Sequence, residues 1–187
     1  SIIFLFKKKF FFFSKLIIII LPLLFYNKAL GIKKRYAPSI NNMGVIFVTD
    51  GKNEKALNSF KKANKISPHS KTPNFNLAQM YLRFGLVYKA RNVFFNLYKI
   101  RPNDIDILNG LATSLLFLKD LKKSIAIFEK ISSEHFQRPN IGINYALGLK
   151  LSGRKQDARD VFNEVNIASM REFDNYYQTV KKFIMGD

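Results

Sequence analysis

Written in rows of 34 residues from Ala37, Lys71, Ile105 and Pro139, the chain aligns with itself without a gap. One column reads Phe60, Phe94, Phe128 and Phe162, and four residues before it stand Ala56, Ala90, Ser124 and Ala158. Earlier in each row come the pairs Met43-Gly44, Leu77-Ala78, Leu111-Ala112 and Tyr145-Ala146, followed by Phe47, Tyr81, Leu115 and Leu149. A fixed period of this length belongs to a unit too small to bury its own apolar face, so neighbouring units must stack.

The columns predict the unit. Each row holds two apolar-periodic stretches parted by Gly51, Gly85, Lys119 or Gly153. Glycine takes the left-handed conformation that ends a helix. Pro68 and Pro102 close the first two rows, because proline cannot continue a helix. In the first stretch the large-small pair lets a neighbouring helix approach closely. In the second, Ala90 leaves a hole that Phe94, one turn later, fills. The third row departs most: Lys119 replaces the turn glycine, Ser124 the small alanine, and Phe136 stands where proline would close the row. The join from Ser133 to Pro139 is therefore expected to be longer or looser than the others.

These residues resemble the tetratricopeptide repeat family of 34-residue helix-turn-helix units. The resemblance covers residues 37–172 as four rows, 37–70, 71–104, 105–138 and 139–172. It implies an all-α fold, a right-handed α-solenoid closed by a C-terminal capping helix over 173–187. In that helix Tyr176, Val180 and Phe183 are expected to face the array, with Asp174, Gln178, Lys181 and Lys182 outward.

Residues 1–36 differ in kind. They carry eight basic residues and no acidic one, around an unbroken apolar run from Leu16 to Phe25. Charge followed by a run of that length has the proportions of a secretory signal peptide, and Ala29-Leu30-Gly31 offers a cleavage site. Counted from Phe10 the run is somewhat short of the roughly 20 residues that cross a bilayer, and Lys33-Lys34-Arg35 resists translocation. A signal peptide or a retained membrane anchor is expected, and with it an exported (periplasmic or extracytoplasmic) or membrane-anchored location. In either case residues 1–36 are expected to stand apart from the fold. Ser1 in place of methionine leaves an upstream portion open.

The chemistry of enzymes is hard to find. Without cysteine, and with His69 and His135 as the two histidines, no thiol nucleophile or Cys-based metal site is available. Gly142 and Gly148 lie in a helical stretch without a following Gly-Lys-Ser/Thr. Glu134-His135 pairs an acid with a base, but adjacent helical residues point apart. Asp104, Asp106, Asp157 and Asp160 sit at helix starts, where acids offset the dipole. No enzyme, cofactor or metal is expected.

The resemblance places a peptide-binding groove on the first helices of the rows. Stepping by four along the face away from the packing positions selects Asn41 and Val45, then Phe75, Gln79 and Arg83, then Asn109 and Thr113, then Ile143 and Leu147. Amides there grip an extended backbone, Phe75 is an apolar anchor and Arg83 pairs with a carboxylate. Some family members clamp acidic chaperone C-termini with Lys, Asn and Arg. Here Asn76 alone coincides with that set, so this activity is not supported.

The net charge of +18 is uneven. Residues 37–102 carry a balance of +9 and residues 103–187 only +1. Lys52, Lys55, Lys61, Lys62 and Lys65 form a basic patch on or near the second helix of the first row, suited to an anionic membrane. The reading is a non-enzymatic protein-protein interaction scaffold that holds a peptide or protein segment, with bacterial envelope assembly as its setting by resemblance. The alternatives are a nucleic-acid-binding basic array, disfavoured because the groove columns lack a regular base-reading pattern, and an accessory module of a larger protein.

Overall fold

The computed structural model describes residues 16–32, 36–167 and 174–186. Expectations resting on Lys7, Lys8, Lys9, Lys15, Lys33, Lys34, Arg35 and Phe173 lie outside the described residues. The chain divides into two compact units, Ser1–Phe84 and Gly85–Asp187. In the first, a π-helical turn Leu16–Ile20 leads into α1 Leu21–Ile32, followed by α2 Ala37–Thr49, α3 Asn53–Ile66 and α4 Lys71–Arg83. The second holds α5 Val87–Ile100, α6 Ile105–Phe117, α7 Leu121–Phe128, a 3₁₀ turn Ser133–His135, α8 Pro139–Leu151, α9 Lys155–Asn163 and α10 Asp174–Met185.

The first helices α2, α4, α6 and α8 begin on Ala37, Lys71, Ile105 and Pro139, and each is 13 residues long. The turns follow the glycine column. Gly51, Gly85 and Gly153 have φ of 72°, 68° and 89°, and Lys119 adopts the same left-handed conformation at 61°. For lysine that conformation costs about 1–2 kcal/mol. The turn is held by two backbone bonds, from Lys119 N to Leu116 O (2.9 Å) and from Asp120 N to Leu115 O (3.0 Å). These satisfy carbonyls that the helix end leaves open. Asp104 and Asp120 cap α6 and α7, each accepting from a backbone N–H three residues on.

The phenylalanine column is the core. Phe60, Phe94, Phe128 and Phe162 are all buried, as are Ala56, Ala90, Ser124 and Ala158 one turn before them. Burial of a large apolar side chain is worth roughly 1.5–3 kcal/mol, and the small residue before it is what lets the rings seat. Ser124 pairs its hydroxyl with the Ala112 carbonyl at 2.8 Å, so a polar atom at this depth is satisfied.

The join Ser133–Pro139 is longer than the others, as expected, and it is packed: α7 has only 8 residues, and the turn behind it packs Phe136 against Tyr145 with ring centroids 4.9 Å apart. Two expectations are corrected. In α10 Val180 is buried as expected, with Tyr177 and Ile184 beside it, whereas Tyr176 and Phe183, 39% and 46% exposed, lie at the margin of the contact. Apolar side chains at both 176–177 and 183–184 make two registers possible, and packing selects the later one. Lys150 closes this end, its ammonium donating to the carbonyls of Ile184 (3.2 Å) and Gly186 (2.7 Å).

The second correction concerns the leader, whose described part does not stand apart from the fold. Helix α1 packs on α2, and the Asn42 amide donates to the Tyr26 hydroxyl at 3.2 Å. One period back from Phe60 is Tyr26, and one period back from Ala63 is Ala29. The half-buried face of α1 (Pro22, Leu23, Tyr26, Ala29, Leu30) thus falls in the columns that α3 buries or half-buries in its own row. The apolar segment occupies the place of a second helix preceding the first row.

Candidate functional site

The amides chosen from the first-helix columns lie where adjacent first helices meet, and they bond to one another. In the first unit Asn41 is 4% exposed. Its Oδ1 accepts from Asn76 Nδ2 at 2.9 Å, and its own amide donates to Asn42 Oδ1 at 3.4 Å. With the Asn42–Tyr26 bond this makes a chain Tyr26–Asn42–Asn41–Asn76 across α1, α2 and α4. In the second unit Asn109 and Thr113 are both 7% exposed. Thr113 donates to Asn109 Oδ1 (3.4 Å) and accepts from Asn144 Nδ2 (3.2 Å), while Tyr176 donates to Asn144 Oδ1 (2.9 Å). Burial raises the Tyr176 hydroxyl above the ordinary tyrosine range, which keeps it a donor.

Asn41, Asn109 and Thr113 are therefore not open polar groups awaiting a peptide; the structure spends them on holding neighbouring hairpins together. Buried polar groups need partners, and a fully bonded network also fixes register. The ladder residues missed in the sequence are Asn42 and Asn144, and Asn76 is named there only for a clamp. Their signal was available one position along the same rows, where a column reads Asn42, Asn76, Gly110 and Asn144. Gly110 breaks it because a Cβ there would lie 2.3 Å from Phe94 Cε1.

Of the remaining groove residues, Ile143 is buried at 2% exposure and belongs to the core. Phe75 is half-buried and Gln79 exposed, both on α4. Arg83 is exposed, but its guanidinium donates to Asn53 Oδ1 at 3.1 Å and ties the end of α4 to the start of α3. A depression of about 190 Å³ lies between the N-terminal ends of α2 and α4, lined by Asn41, Asn42 and Thr72 among others. The basic patch is divided: Lys52 pairs with Asp50, while Lys55, Lys61, Lys62 and Lys65 are exposed along α3.

The carboxylates have structural partners. Asp106 pairs with Arg138 at 2.9 Å, and Arg154 bridges Glu129 (2.7 Å) and Asp157 (2.6 Å), which holds its guanidinium charged. Asp160 accepts from Gln156 at 2.9 Å. His135 and Glu134 do come within 3.4 Å, at the surface of the 3₁₀ turn. Among the described residues no group of three His, Asp or Glu side chains is placed to hold a metal ion.

Stacked hairpins that spend their polar groups on one another and leave helix faces to solvent define a helical-repeat interaction scaffold. Residues 37–70 are matched by the family model for the tetratricopeptide repeat, and solved proteins of that family share the fold of this chain. YrrB, described as a tetratricopeptide protein with an unusual peptide-binding site, superposes with a TM-score of 0.64 over 84% of this chain and 82% of its own, at 16% identity. The thermophilic protein TTC0263 of Thermus thermophilus gives 0.67 over 81% and 84%, at 18% identity. Among curated sequences, anaphase-promoting complex subunit 6 of Arabidopsis thaliana is 24% identical over 57% of this chain. The TPR repeat-containing protein YpiA of Bacillus subtilis is 32% identical over 45% of it. This chain spans about a fifth of the length of either relative. Proteins of this family are in general non-enzymatic scaffolds for protein-protein interaction.

Proposed function

We propose that this protein is a membrane-associated scaffold that holds a protein segment on its first-helix side, in an exported or envelope setting. The observation that carries the membrane part is the two-sided nature of α1. One face packs on α2. On the other, Leu24, Phe25 and Ile32 are 60%, 65% and 84% exposed, within a segment that is wholly basic in its charges. An apolar face flanked by lysines suits the boundary between anionic headgroups and acyl chains. Among the described residues no helix is long and apolar enough to cross a membrane, so the reading is a helix lying at the interface. The full chain is expected to float with vesicles containing anionic phospholipid and to be released by salt. Leu24→Asp with Phe25→Asp should abolish flotation without loss of helicity; unchanged flotation of that variant would remove the membrane part.

The partner is a peptide or protein segment. Phe75 and Gln79 on α4, half-buried and exposed, are the groove-column residues proposed to meet it, one as an apolar contact and one as an amide. Peptides selected against the full chain from a display library should lose about tenfold in affinity on Phe75→Ala combined with Gln79→Ala. Retention of every selected peptide by that variant would move the site elsewhere.

A further inference from the structure

A concavity of the second unit lies away from its amide ladder, on the side where α5 and α7 flank α6. It encloses about 640 Å³. Its floor is Leu111, Leu115 and Leu118 of α6 and the turn after it, and one wall is the aromatic series Tyr88, Phe95 and Tyr98 of α5. Tyr88 is 70% exposed and Phe95 41%. For Phe95 the cause is a mismatch in length. Phe128, the last residue of α7, falls one period after Phe94, so the stretch of α5 from Phe95 onward outlasts its counterpart. Phe95 and Tyr98 are thereby left facing a turn instead of a helix.

The rim is basic. Arg91, Lys123 and Lys130 border the cavity, and Asp120 is the one acid that does. Asp120 is taken by Lys123 at 2.9 Å, and nearby Glu129 by Arg154 at 2.7 Å. Arg91 has no carboxylate in ion-pair reach among the described residues, and Lys130 donates to the Tyr98 hydroxyl at 2.6 Å, lying over that ring. The cavity thus presents an apolar floor, an aromatic wall and two cations without a counter-charge.

We infer that this cavity is a second protein-binding surface, separate from the first-helix side, and that it takes an acidic segment carrying one apolar anchor. The anchor seats on Leu111, Leu115 and Leu118 against Phe95, and its flanking carboxylates meet Arg91 and Lys130. The chain's own leader does not fit, being basic throughout. A nucleic acid fits less well than a peptide: the floor is leucine, which offers no stacking platform, and two cations are too few to track a phosphate backbone.

The probe is a short fluorescein-labelled peptide of Asp, Glu and Leu with one central Phe, measured by anisotropy on the full chain. A control peptide has lysine in place of its acids. Binding of the acidic peptide alone is expected, weakening with salt. Arg91→Glu, and separately Ala126→Trp, which fills the cavity from an exposed wall position, should each weaken it about tenfold. Phe75→Ala with Gln79→Ala should leave it unchanged, so failure here is distinguishable from failure on the first-helix side. Equal binding of the two peptides, indifference to Ala126→Trp, or displacement by a single-stranded RNA at concentrations below those of unlabelled peptide would overturn the proposal.

Discussion

Gly142→Ala is expected to be among the most damaging single-methyl additions this protein can receive, at about 3 kcal/mol. A Cβ at Gly142 would stand 2.1 Å from the carbonyl oxygen of Phe136 and 2.7 Å from Val165 Cγ2. The carbonyl is backbone, so it moves only if the whole turn from Ser133 to Pro139 moves. That turn is anchored by the buried Phe136 ring on Tyr145 and by the bond from Asn166 N to Gln137 O at 2.9 Å. Gly148 in the same helix is the internal control. Its nearest neighbours would be Leu116 Cδ1 at 3.6 Å and Ile125 Cγ1 at 3.9 Å, which is ordinary contact. Gly148→Ala should therefore stabilise by about 0.5–1 kcal/mol through lost backbone freedom in the unfolded chain. Chemical denaturation read by circular dichroism, with amide exchange in α8 as the local probe, checks both signs. If Gly142→Ala unfolds at the midpoint of the unaltered protein, the turn does not approach α8 as described.

This pair also marks where sequence reading stops. The 34-residue columns were enough to locate the first helices and the buried phenylalanines, because both depend on periodicity alone. They could not foretell that α7 and α9 end after 8 and 9 residues, against 14 in α3 and α5. The column residues Ile131 and Val165 are buried although neither is helical any longer, at 3% and 6% exposure. An apolar position keeps its periodicity whether a helix or a packed turn delivers it to the core, so the pattern is blind to the change in backbone. The site was legible to a similar depth. Polar side chains on otherwise apolar helices singled out Asn41, Asn109 and Thr113. Whether an amide serves a ligand or its neighbour depends on which residue stands across from it, and that is set by packing between rows. The leader shows the same limit. Its apolar run reads as a targeting signal by composition, and Tyr26 and Ala29 reveal their place in the columns only once α1 is seen against α2.

The second large effect lies in the coupling between Phe94 and Gly110. Phe94 is fully buried, and a Cβ on Gly110 would meet its ring at 2.3, 2.4 and 2.7 Å. Phe94→Ala should cost about 3–5 kcal/mol, the usual penalty for emptying an aromatic site. Gly110→Ala alone should cost about 1–3 kcal/mol, because the ring has nowhere to retreat in a close-packed interior. The two together should cost less than their sum by about 1–2 kcal/mol, since the new methyl enters space the ring has left and the helix gains an alanine. Denaturation midpoints of the four proteins in the cycle measure this directly, and additive losses would mean that ring and glycine are not in contact. The first unit offers an independent repetition, as a Cβ on Gly44 would lie 2.5 Å from Phe60 Cε1. Coupling of the same sign there would establish that the phenylalanine column is seated by glycines on the first helices. It would also explain why row three gives up its ladder asparagine: at Gly110 the space for an amide is taken by the ring of Phe94.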